Sequence, residues 1–78
     1  MVTSWSYPTR RGTVFILPHD AGGVIRYQVV FEGDVLGSYA TPEQAADDVA
    51  GGHTFMPSSG VDLGDLGISN DLGDWHRK

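Results

Sequence analysis

The chain has 78 residues, a formal net charge of −5 and no cysteine. A chain this short makes one domain and buries only about 60% of its unfolded surface, so its core is small and has neither a disulfide nor a thiolate–metal site to support it. No apolar run approaches the ~20 residues that cross a bilayer, and the first eight residues hold no apolar signal-type segment, so the expectation is a cytoplasmic protein with no membrane partner.

Residues 1–11 carry Pro8, several polar side chains and the pair Arg10-Arg11 without a hydrophobic period. They are expected to form a flexible N-terminal arm, with 12–78 as a single small domain. Thr13–Leu17 is β-branched and aromatic and predicts a first strand, which Pro18 would end. The loop that follows, Pro18 to Gly23, is rich in turn residues. Ile25–Phe31 alternates: Ile25, Tyr27, Val29 and Phe31 share one face, and Val24, Arg26, Gln28, Val30 and Glu32 the other. A period of two with one polar face predicts a sheet covered on one side only. Glu32-Gly33-Asp34 predicts a hairpin turn into a third strand, Val35–Tyr39.

The helix is the best-marked element. Thr41 is the expected N-cap, Pro42 takes the first helical position, and Gln44 completes a Thr-x-x-Gln capping box. Ala45, Ala46 and Val49 make a small-residue stripe, Asp47 and Asp48 lie outside it, and Gly51-Gly52 supplies the stop. Beyond it, Phe55, Val61, Leu66, Ile68, Leu72 and Trp75 are spaced to wrap the core, and Ser69 or Asn70 would cap a last helical turn through Trp75. The expected fold is therefore α+β: a three-stranded antiparallel meander, one short helix packed on one face, and a C-terminal segment that wraps the core and ends in a short helical turn.

Chemistry-bearing patterns are sparse. Asp62-Leu63-Gly64-Asp65 recurs as Asp71-Leu72-Gly73-Asp74, but the spacing fits neither an EF-hand nor a nonapeptide calcium repeat, and turn and cap roles suit such aspartates. His19, His53 and His76 lack the i, i+4 spacing of a helical zinc site. Ser58-Ser59-Gly60 is not a nucleophile elbow, and Gly22-Gly23 does not lead into a helix that could hold a phosphate. No catalytic, cofactor-binding or metal-binding residue is assigned, and the chain is not expected to be an enzyme.

The run Tyr27-Gln28-Val29-Val30-Phe31-Glu32-Gly33-Asp34, then Leu36-Gly37-Ser38-Tyr39, then Thr41-Pro42-Glu43-Gln44-Ala45-Ala46, resembles the three-stranded sheet plus helix of Apetala-type DNA-binding domains and of the arm-binding domains of tyrosine recombinases. It is also similar to small bacterial proteins of about this length. The resemblance covers roughly a third of the chain and implies a fold more than an activity. Those DNA-binding domains read DNA with the open sheet face through basic and aromatic side chains. Here that face would offer Arg26 and Gln28 beside Glu32, with no lysine and an acidic helix following.

Between Tyr27 and His76 there is no Lys or Arg, while Glu32, Asp34, Glu43, Asp47, Asp48, Asp62, Asp65, Asp71 and Asp74 all fall in that stretch. Such a field repels phosphate backbones and favours a protein partner over nucleic acid. The leading expectation is a non-enzymatic acidic protein-interaction module that uses Arg26, Gln28, Glu32, Asp47 and Asp48. One rival is a nucleic-acid-binding domain in which Trp5 and Tyr7 stack on bases while Arg10, Arg11 and Arg26 meet phosphates. The other is an acidic inhibitor that mimics nucleic acid in a basic groove.

Overall fold

A computed structural model describes residues 3–78. Strands β1 (Trp5–Thr9), β2 (Gly12–Asp20), β3 (Ile25–Phe31) and β4 (Asp34–Tyr39) lead into helix α1 (Pro42–Gly51). Two short 3-10 turns, Leu63–Asp65 and Leu72–Asp74, follow, and the chain closes with strand β5 (His76–Arg77). The sheet is antiparallel and five-stranded, in the order β4-β3-β2-β1-β5. The α+β class and the single helix agree with the sequence, whereas the three-stranded meander becomes the β2-β3-β4 part of a wider sheet.

The two added strands correct the expected arm. Trp5–Thr9 pairs with β2 from Trp5 opposite Ile16 to Thr9 opposite Gly12. Met1 and Val2 of that segment lie outside the described residues. The connection is Arg10-Arg11, a pair with no turn signature. It is closed by the Thr9 hydroxyl, which donates to the Gly12 carbonyl at 2.6 Å and accepts the Arg11 N–H at 3.1 Å. Pro8 is tolerated because β5 reaches only Trp5 and Ser6, so Pro8 lies on an open edge where a missing N–H breaks no ladder bond. The same reason carries β2 past Pro18: β1 begins opposite Ile16, so beyond it β2 has one neighbour only.

The β3–β4 hairpin turns through Glu32 (φ 52°) and Gly33 (φ 83°). Two left-handed residues in succession make the primed turn whose twist matches its strands, and Glu32 carries the strain that Gly33 avoids. A bulge then shifts the β3–β4 register: Val29 faces Gly37 while Val30 faces Val35, which leaves Leu36 unpaired. That extra residue turns Leu36 into the core, where it is 2% exposed. Gly37 is needed beside it, because a Cβ there would stand 2.7 Å from the Tyr39 ring.

The core lies on one side of the sheet. Val14, Ile16, Val29 and Phe31 are fully buried beneath Ala45, Ala46 and Val49 of α1. Burial of a side chain the size of Phe31 or Ile16 stabilises the fold by roughly 1.5–3 kcal/mol relative to exposure. Alanines on the helix allow the close approach that a short chain requires. Thr41 Oγ1 accepts the Gln44 N–H at 3.2 Å, the first half of the expected capping box, and Gly52 ends the helix in the left-handed conformation.

The C-terminal segment completes the core much as its spacing suggests. Val61, Ile68 and Trp75 are buried and Leu66 and Leu72 are half-buried, but Leu63 joins them and Phe55 does not. Phe55 N–H instead donates to the Leu36 carbonyl at 2.9 Å and its ring stays outside. The repeated Asp-Leu-Gly-Asp proves to be a repeated structure. Asp62 accepts the Gly64 N–H at 2.9 Å and Asp71 the Gly73 N–H at 2.8 Å, each opening a 3-10 turn that aims its leucine inward. Asp71, not Ser69 or Asn70, is thus the cap of the last turn. Ser69 supports it by accepting the Asp71 N–H and donating to the Asp74 carboxylate.

Two substitutions test this account. Thr41→Ala should cost about 1 kcal/mol in a urea melt by removing the helix cap. Gly37→Ala should cost about 1–3 kcal/mol, because the new methyl meets an aromatic ring already held in place. An unchanged midpoint in either variant contradicts the corresponding contact.

Candidate interaction surface

Antiparallel register fixes which side chains share a face, since directly opposed residues point the same way. The row Arg77–Trp5–Ile16–Val29–Gly37 faces the helix. The adjacent row His76–Ser6–Phe15–Val30–Val35 faces away from it. Next to that row lie Leu17, Gln28 and Ser38, then the opposed pair His19 and Arg26. Among the described residues the one α-helix packs on the first face and leaves this second face without a helix. Phe15 is 40% exposed and Val35 54% exposed in the middle of it.

The residues expected at the interaction surface lie in three places. Arg26 and Gln28 are on the open face. Glu32 is in the β3–β4 turn, and Asp47 and Asp48 are on the helix, behind the sheet. Asp48 has a structural task. Burial first, then the hydrogen bond to Asp48 and its negative charge, pushes the Tyr39 phenol up to about 12. Asp34 is also engaged, accepting the Ser58 N–H at 3.0 Å and the Ser58 hydroxyl at 2.8 Å. Those donors hold its carboxyl below the ordinary range. Through them the 53–58 segment is tied along β4.

The set drawn for nucleic acid is dispersed as well. Trp5 packs edge-on against Tyr27 with ring centroids 6.0 Å apart, and Tyr7 lies 5.2 Å from Trp75. Both rings therefore belong to the rim of the core and face the helix side. Arg10 and Arg11 stand at the β1–β2 turn, in a hollow of about 290 Å³ shared with Asp62 and Asp65, and Arg10 donates to the Asp65 carbonyl at 3.3 Å. Arg26 is on the opposite face, where Nε donates to Ser38 Oγ at 2.9 Å and Nη2 to the Ser38 carbonyl at 3.0 Å.

Sequence reading set Val30 on the open face with Arg26 and Gln28, but missed Phe15 and Val35, and their neighbours His76 and Lys78. Val14-Phe15-Ile16-Leu17 is apolar throughout, so alternation could not say which pair faces out. Phe15, His76, Lys78 and Ser4 together line a shallow cleft of about 100 Å³. Beside the Val35 end, Phe55 and Met56 are 77% and 63% exposed. The carboxylates of α1 and the two 3-10 turns all lie on the far side, and the register places no Asp or Glu on the open face.

Compared with family models, with curated proteins and with solved structures, the chain finds no match. Among the described residues no group of three or more His, Asp or Glu side chains is gathered to hold a metal ion, and no helix is long and apolar enough to cross a membrane.

The Tyr39–Asp48 contact carries a pH signature. A phenol whose folded pKa is raised from 10.0 to about 12 contributes stability that is complete below pH 10 and is lost as pH climbs through 12. Thermal melts should show the midpoint falling between these values, with a shallower fall in Tyr39→Phe. Equal slopes for the two proteins contradict the contact.

Proposed function

We propose that the protein is a non-enzymatic interaction module whose open sheet face binds another protein. One observation carries the reading: an apolar row, Phe15–Val30–Val35, runs across the sheet face that the helix does not cover. Exposed apolar side chains scattered singly are ordinary, but a contiguous row on a flat face is characteristic of surfaces that dock.

The sheet edges are less suited to the task. Strand addition needs a long free edge. Here β5 is two residues long, and β4 is partly covered by Phe55 bonding to Leu36 and Ser58 bonding to Asp34.

The test compares the wild-type chain with a Phe15→Ser, Val35→Ser double variant, both immobilised and exposed to extract of the source organism. Both positions are on the surface, so the variant should melt close to the wild type. Proteins retained by the wild type should be lost from the folded variant. Equal retention by both overturns the open-face reading.

A further inference from the structure

We infer that the open face takes a partner segment in which carboxylates flank an apolar stripe: an acidic amphipathic strand or helix, not a basic one. This rests on the open-face reading above and adds the chemistry of the partner. The overall charge of −5 points the other way, toward a basic partner, but the charge is segregated. On the open face the charged side chains are Arg26 and Lys78, accompanied by His19 and His76, with no carboxylate among them. Glu43, Asp47, Asp62, Asp65, Asp71 and Asp74 belong to the helix and the 3-10 turns behind the sheet.

Distance decides which charges a bound partner feels. An α-helix is about 10 Å across, so the outer carboxylates of α1 lie farther from the open face than the Debye length of about 8 Å at physiological salt. A segment lying on the open face therefore meets the local cations first, and the carboxylates nearest to it are Glu32 in the β3–β4 turn and Asp20 beside His19, both at the rim.

Geometry adds to charge. Arg26 uses two of its N–H groups on Ser38, which fixes the guanidinium on the open face beyond Gln28, to one side of the apolar row, with further donors for a carboxylate. At the β5 end of that row, Lys78 and His76 line the Phe15 cleft. An apolar side chain seated at Phe15 would thus have Lys78 beside it, and a longer segment running along β3 would reach Arg26. A second copy of the same face is disfavoured, since it would bring Arg26 and Lys78 against their own kind.

Amide chemical shifts of the full chain, recorded near physiological salt, test the inference with three probes: a short peptide of alternating Leu and Glu, its Leu–Lys counterpart, and a short oligothymidine. The Leu–Glu peptide should shift the signals of Phe15, Gln28 and Val30. Lys78→Glu should weaken its binding roughly threefold. The Leu–Lys peptide should leave those signals in place. Tighter open-face binding by the Leu–Lys peptide or by oligothymidine overturns the inference, as does the absence of any open-face shift with Leu–Glu. The extract comparison with the Phe15/Val35 variant does not depend on the partner's charge. A difference there alongside a failed Leu–Glu titration removes the partner chemistry and leaves the binding face; equal retention removes the face itself.

Discussion

Everything in this protein depends on one contact: the Val14, Ile16, Val29 and Phe31 face of the sheet pressed against Ala45, Ala46 and Val49. A chain of 78 residues without cysteine has no other source of stability on this scale. It has one helix to spend, so only one face of the sheet can be covered. The uncovered face is a consequence of that shortage, and it is the surface proposed for binding.

The rest of the chain makes the single core large enough. The bulge at Leu36 rotates one more apolar side chain inward, at the cost of a glycine next to it where the Tyr39 ring lies. The two Asp-Leu-Gly-Asp turns add Leu63 and Leu72, and the second delivers Trp75, whose indole N–H donates to the Ser69 carbonyl at 2.9 Å. Trp75 then packs on Tyr7, and His76–Arg77 pairs with the first strand. The two ends of the chain are thereby joined, with Ser4 and Lys78 exchanging backbone hydrogen bonds.

Charge follows the same layering. Aspartates cap the turns and coat the helix, where water reaches them, and the open face is left with apolar, hydroxyl and cationic groups. Net charge is a property of the whole chain; a bound partner feels what lies within a Debye length. For a two-layered molecule the two can have opposite sign.

The sequence by itself determined the elements whose signals are local. β3 was legible from its alternation, the hairpin from Gly33, the helix from Thr41, Pro42 and the alanine stripe, and most of the wrapping residues from their spacing. Each of these depends on neighbours a few residues away. β1 was not legible, because Arg10-Arg11 is no turn signal and Trp5 and Tyr7 become a strand only by lying against β2 and Trp75. The candidate face was half legible: Arg26 and Gln28 stand in an alternating strand, whereas Phe15 sits in an apolar run where either parity reads the same. Only tertiary structure decided which way that run faces, because the helix covers one side of the sheet and strand register assigns every side chain to it or away from it.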